Sequence, residues 1–197
     1  MKSIGIWYAD YTTVPAGRRP FWLAVLFAVG AILADSATLE RLSLNEMIGQ
    51  STAIVRGKVA GSSTALRGTM IFTFYTIQVT EQFKGPAQNS VTIAVPGGTS
   101  NNRRQTFPGA PQLNTGDEFV FFLWTGKSGT TQIIGLTQGL FKLAAGESTG
   151  DPVATRTASS ELMLERGTGK PVKDQTLVMN LSNLRAQIAG TLGTGAR

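Results

Sequence analysis

Large apolar and small polar residues alternate along the middle of the chain, which is the pattern of β-strands with one buried face. The longest such stretch runs from Met70 to Phe83, with threonine and glutamine at every second position of its later part. Shorter stretches predict strands at residues 53–59, 91–95, 131–136 and 140–143. Residues 119–124 are continuously apolar, which predicts a central strand buried on both faces. The chain is therefore expected to be mainly β.

Two helices are predicted to flank these strands. Ser43 precedes Glu46 by three positions, the spacing of a capping box, which predicts a short helix over residues 44–50. Near the carboxyl end, Asp174 is predicted to cap an amphipathic helix over residues 174–190. The apolar stripe of that helix consists of Leu177, Leu181, Leu184 and Ile188. This stripe is expected to pack on the strands.

The strand count and the flanking helices predict the fold class. Five or so strands with one long bent member favour a small Greek-key β-barrel of the oligonucleotide/oligosaccharide-binding (OB) type over residues 37–145. An immunoglobulin-like sandwich is the alternative, and it needs about seven strands. Residues 146–173 are polar and rich in glycine, serine and threonine, so they are expected to form a loop or a hairpin between residues 153–157 and 161–165.

Residues 1–36 are predicted to be a signal peptide. Arg18 and Arg19 precede an uncharged apolar run over residues 21–34, as in the basic and apolar regions of a secretory signal. The run is shorter than the roughly 20 apolar residues that a membrane-spanning helix needs. Small residues before Ala37 predict cleavage between Ser36 and Ala37. The mature protein is therefore expected to be secreted or periplasmic and to have no membrane span, with an uncleaved anchor or an ordinary buried helix as the alternatives.

The chain contains neither cysteine nor histidine, which excludes several kinds of chemistry. Disulfides, thiolate or imidazole metal sites and a Ser-His-Asp triad are impossible. Catalysis would have to use residues such as carboxylates, and the only adjacent acidic pair is Asp117-Glu118. Neighbouring residues on a strand point to opposite faces, so that pair is interpreted as structural. The sequence predicts no catalytic residue, no metal and no cofactor.

A long polar loop from Gly97 to Gly116 is the candidate binding surface, because long loops in small domains are usually functional or disordered. Gly97 and Gly98 would allow close backbone approach to a partner. The other candidate side chains supply hydrogen bonds, positive charge and a stacking face, and they are Asn101, Asn102, Arg103, Arg104, Gln105 and Phe107. A solvated connector is the alternative interpretation.

Three segments together resemble the netrin-like module, which includes the tissue inhibitors of metalloproteinases. They are residues 51–59, residues 72–85 and residues 118–123. The chain also resembles a set of uncharacterised exported bacterial proteins of the same layout without cysteines. The resemblance implies an OB-type barrel that serves as an extracellular interaction module. In the metalloproteinase inhibitors an amino-terminal cysteine contacts the catalytic zinc, whereas here the mature chain would begin at Ala37, which adds that residue to the candidate site.

Three functions from different classes follow. The first is a non-enzymatic exported module that binds an extracellular protein, in the manner of a protease inhibitor. The second is a binder of an anionic polymer, either a polysaccharide or single-stranded nucleic acid, because the formal net charge is +6. The third is a histidine-free hydrolase. The sequence places them in that order.

Overall fold

The strands that the alternating pattern predicts are present, and most of them join one antiparallel sheet. The computed structural model describes residues 38–146 and 150–194. The helices are α1 (Leu44–Gln50) and α2 (Leu181–Thr194), and a 3-10 turn covers Leu136–Gly139. In chain order the strands are β1 (Thr38–Glu40), β2 (Ala53–Arg67), β3 (Met70–Lys84), β4 (Ser90–Pro96), β5 (Gly98–Ser100), β6 (Arg103–Gln105), β7 (Glu118–Thr125), β8 (Thr131–Ile133), β9 (Leu140–Ala144), β10 (Val153–Arg156), β11 (Leu162–Leu164), β12 (Pro171–Val172) and β13 (Leu177–Asn180).

The main sheet has eight strands in the order β13-β10-β9-β7-β2-β3-β4, with β8 also paired to β7. Strands β1, β11 and β12 form a small separate sheet, and β5 and β6 form a hairpin.

The mainly β prediction is confirmed. The eight strands share one sheet, so the two facing sheets of the immunoglobulin-like alternative are not seen among them. Strands β4 and β8 approach each other without a hydrogen-bonded ladder, so the predicted closed barrel is not present in the described residues.

Strand β7 is buried on both faces, as its continuous apolar sequence predicts. Val120 and Phe122 point into one core cluster, which also contains the buried faces of α1 and α2. Phe119, Phe121 and Leu123 point into a second cluster on the opposite face of the sheet. The alternation follows from strand geometry, in which successive side chains leave opposite faces. The central sheet therefore separates two cores.

Helix α1 begins and ends where its side chains predict. Ser43 and Glu46 form the predicted capping box, in which the Ser43 N–H donates to Glu46 Oε2 at 2.8 Å. At the other end, Lys84 Nζ donates to the carbonyl oxygens of Ile48 at 2.7 Å and Gly49 at 3.0 Å. A cation at a helix carboxyl end satisfies carbonyl groups that lack helical partners. Strand β3 is thereby tied to α1.

The carboxyl-terminal region differs from its prediction in two respects. The expected helix over residues 174–190 begins only at Leu181, and Leu177–Asn180 is strand β13. Asp174 does not cap it, because its carboxylate accepts from the Arg156 guanidinium at 2.6 Å. The expected hairpin is also wrong, since β10 pairs with β9 and β13 while β11 pairs with β1 and β12. Both errors arise from contacts distant in sequence.

The predicted signal peptide, residues 1–36, and the predicted new terminus at Ala37 lie outside the described residues. In the described part of the chain, no helix is both long and apolar enough to cross a membrane.

Gly57 lies where β2 is closely packed against β3, and a substitution at this position tests that packing. A Cβ at this position would lie 2.6 Å from the Gln78 carbonyl oxygen and 2.6 Å from Ile77 Cγ2. Gly57→Ala should therefore lower the free energy of unfolding by roughly 1–3 kcal/mol, the usual cost of overpacking. Gly61→Ala, in the same strand with nothing within 4 Å of its Cβ, is the matched control and should have little effect. Equal urea-unfolding curves for the two variants would contradict this packing.

The capping box predicts a pH dependence of stability. Hydrogen bonds from the backbone and hydroxyl of Ser43, with Arg166, lower the pKa of Glu46 from 4.5 to about 2. The ionised group is thus favoured by the folded state, and its contribution to stability is complete above pH 4.5 and disappears as the pH falls through about 2. In urea unfolding, wild type should have a higher free energy of unfolding than Glu46→Gln above pH 4.5, and this difference should disappear as the pH falls to about 2. A difference that is independent of pH would refute the assignment.

Candidate binding cleft

The predicted loop from Gly97 contains a hairpin made by β5 and β6. Asn101 and Asn102 connect the strands, and both have positive φ angles, 48° and 60°. A two-residue hairpin loop of the type I′ class requires positive φ at both positions, and asparagine tolerates it better than most residues. The Asn-Asn pair is thus a turn signal that a purely polar interpretation of the loop overlooks.

Hydrogen bonds hold this hairpin against the long β2–β3 ribbon. Thr73 Oγ1 donates to the Gly97 carbonyl at 2.8 Å, and the Gly97 N–H donates to the Ile71 carbonyl at 2.8 Å. The Ile71 N–H donates to Gln105 Oε1 at 2.7 Å. Thr64 Oγ1 also donates to the Thr99 carbonyl at 2.6 Å. Gln105 therefore anchors the hairpin and is not free to contact a partner through that oxygen.

The hairpin forms one wall of a cleft of about 300 Å³. Pockets that hold small ligands begin at about this volume, so the cleft can take one or two amino-acid side chains. Buried residues of the second core cluster, Tyr75, Val95 and Leu113, contribute to its lining. The remaining lining residues are Thr73, Pro96, Gly97–Thr99, Arg104–Phe107, Ala110–Gln112 and Asn114. The core itself thus forms part of the cleft surface.

Two glycines make the wall beside β3 possible. Gly97 and Gly98 have φ angles of 102° and 133°, which residues with a Cβ rarely adopt. A Cβ on Gly98 would also lie 2.6 Å from Thr73 Oγ1. These positions therefore need glycine for the close approach of the hairpin to β3. The backbone at Gly98 contacts Thr73 of β3, whereas the sequence predicted its close approach to a partner.

The structure brings only part of the predicted site together. Gly97, Gly98, Arg104 and Phe107 line the cleft. The neighbouring candidates, Asn101, Asn102 and Arg103, are exposed but lie outside its lining. Arg103 and Arg104 are adjacent on β6, so their side chains leave opposite faces. Sequence reasoning missed Thr73 and Tyr75, which look like ordinary members of an alternating strand.

No carboxylate belongs to the lining of the cleft, and the carboxylate of Asp117 accepts a hydrogen bond from the lining residue Asn114 at 3.4 Å. Residues 59–80 and 85–116, which supply all of the lining, contain Arg67, Arg103 and Arg104 but no acidic residue. Among the lining residues only Arg104 is charged. Tyr75 Oη accepts a long hydrogen bond of 3.5 Å from the Leu113 N–H, which leaves its own proton available for an acceptor. The cleft therefore favours a ligand that carries negative charge or hydrogen-bond acceptors.

The acidic pair at the start of β7 has structural partners. Asp117 contacts Lys142 Nζ at 3.1 Å, and Glu118 contacts Arg56 Nε at 2.7 Å. The hydrogen bond from Lys142 lowers the pKa of Asp117 below its usual range. No group of three or more acidic residues that could hold a metal ion occurs in the described ranges 38–146 and 150–194. These carboxylates balance cations of neighbouring strands.

No protein-family model, no curated protein and no solved structure matches this chain. The resemblance to the netrin-like module accordingly stays a prediction based on the three sequence segments.

Proposed function

We propose that this protein is an exported, non-enzymatic interaction module that binds an extracellular protein by holding an acidic segment of it in the cleft. The observation that carries the proposal is the cleft itself, with Arg104 and the Tyr75 hydroxyl in a lining without carboxylates. Its volume suits one or two side chains. Arginine binds carboxylates with directional hydrogen bonds, so an aspartate or glutamate side chain is the fitting ligand group.

The strand arrangement supports the OB-type part of this proposal. Neighbouring strands follow the order β4-β3-β2-β7-β8, and β8 approaches β4 from the other side. In OB folds the second and third strands of the barrel bear much of the ligand-binding surface. Their equivalents in this order would be β3 and β4, and both line the cleft. We propose an OB-type barrel whose seam between β4 and β8 lacks a ladder.

A photocrosslinking experiment tests the protein-binding proposal. A photoreactive phenylalanine analogue replaces Phe107 in the cleft or, as the matched control, Trp124, an aromatic residue 47% exposed outside the cleft lining. The mature protein is irradiated with the extracellular and periplasmic fractions of its own organism. We expect a protein adduct from position 107 only, with an acidic segment at the crosslink. No adduct, or the same adduct from position 124, would overturn the proposal.

Charge reversal measures how much Arg104 contributes. Arg104→Glu should weaken binding of the crosslinked partner about tenfold or more, since a hydrogen bond to a charged group contributes about 1.5–3 kcal/mol. Lys127→Glu is the control, because Lys127 is also exposed and lies outside the cleft lining. Equal losses in the two variants would show a general charge effect instead of a cleft contact.

An anionic polymer is the second candidate, and Arg67, Arg103 and Arg104 favour it because none of them is in an ion pair within the described residues. Retention on heparin and on immobilised single-stranded DNA should then fall for Arg103→Ala with Arg104→Ala. It should fall less for Lys127→Ala with Lys170→Ala, which removes the same charge elsewhere. Equal salt concentrations for elution of the two double variants would leave this candidate without a site.

A further inference from the structure

A second cavity of about 300 Å³ lies beside the segment that leads into α1. Arg41–Leu44 form one part of its lining, and Gln187 of α2 contributes another. Strands β10 and β13 contribute Arg156, Leu177 and Met179. None of these residues lines the cleft of the proposed function. The cavity is thus a separate feature of the molecule.

Arg156 is a buried cation in the lining of this cavity. Its side chain is 4% exposed and that of Asp174 is 2% exposed. Nη2 of Arg156 donates to Asp174 Oδ1 and to the Gln175 carbonyl, both at 2.6 Å. A guanidinium has five N–H bonds, and the three on Nε and Nη1 have no acceptor in the described structure. Unsatisfied buried donors on a charged group are costly, so they call for an explanation.

The cavity has a net positive charge. Arg41 and Arg156 are its cations and Asp174 is its one anion. Asp174 is already engaged, since Oδ1 accepts from Arg156 and Oδ2 accepts from the Ser159 N–H at 2.8 Å. Arg41 is exposed and forms no ion pair within 38–146 and 150–194. One positive charge is therefore left unbalanced.

We propose that this cavity binds an oxyanion, the carboxylate or phosphate group of a small ligand, between Nη1 of Arg156 and the guanidinium of Arg41. An oxygen of the ligand would accept from Nη1, and its charge would balance that of Arg41. Nε and Nη1 are enclosed in the present conformation, so the proposed binding includes a rotamer change of a neighbouring side chain that opens Nη1 to the cavity. Met179 of the lining has an unbranched, adaptable side chain that suits such a change.

Titration of the mature protein at neutral pH tests this site. Acetate and inorganic phosphate are the probes, and sodium chloride at equal ionic strength is the control. The backbone N–H resonances of Leu42, Ser43 and Leu44 report on the cavity in NMR spectra. Saturable shifts with acetate, with phosphate or with both, but not with chloride, are the expected result. The relative affinities distinguish a carboxylate site from a phosphate site. Shifts that are linear, or equal for chloride, would overturn the proposal.

Two variants connect the binding to the arginines. Arg156→Lys keeps the charge beside Asp174 but removes the fixed donors of the guanidinium, and it should weaken binding about tenfold. Arg41→Gln changes an exposed residue, so it should fold normally and weaken binding about threefold to fivefold. Lys127→Gln is the control and should bind as wild type does. Unchanged affinity in a folded Arg41→Gln protein would refute the site even where Arg156→Lys fails to fold.

Discussion

The fold depends on the burial of one strand pair from both sides. Strands β2 and β7 form the middle of the main sheet, and their side chains alternate between two hydrophobic clusters. Helices α1 and α2 cover one cluster, whereas the segment around Leu113 helps to cover the other. A sheet buried on both faces has little freedom in register, because a shift by one residue exchanges the two sets of side chains. The register of the sheet also fixes the positions of Tyr75 and Val95 in the cleft, because both residues belong to the core and to the cleft lining.

The buried pair of Arg156 and Asp174 is a second constraint, and it organises the carboxyl-terminal part of the chain. Burial raises the pKa of Asp174, but hydrogen bonds from the backbone N–H groups of Ser159 and Gln175 and from Arg156 outweigh it, so the net pKa lies below its usual range. Removing one partner from such a pair leaves an uncompensated buried charge. Asp174 therefore has to stay beside Arg156. Asp174 consequently does not cap a helix, although its sequence position suggests that role, and Leu177–Asn180 forms a strand beside β10.

Features determined by neighbours in sequence were predictable, whereas features determined by distant partners were not. The capping box of Ser43 and Glu46 was confirmed together with the helix that it begins, because the interaction spans three residues. The strands around Val55, Ile77 and Phe121 were also predicted, since burial on a sheet leaves a period of two. The role of Asp174 depends on a residue 18 positions away, and the pairing of β11 with β1 places Leu162 beside Thr38, 124 positions earlier in the chain. No local pattern contains that information.

The candidate cleft combines both kinds of feature. Its polar loop, glycines and arginine were visible in the sequence, but Tyr75 and Thr73 enter it only through the pairing of β3 with β4 and the docking of the hairpin.

The same contrast applies to charge. Across the described chain, Arg56, Lys142, Arg166 and Arg185 contact carboxylates at 2.7–3.4 Å. Arg67 instead lies over the Phe74 ring at 5.7 Å, and Arg104 faces a cleft lined without acidic residues. Arg67 and Arg104 thus have no carboxylate partner among the ion pairs of the described residues. Internal packing does not require that difference between the two groups of cations, and it is what a surface for an acidic partner would need.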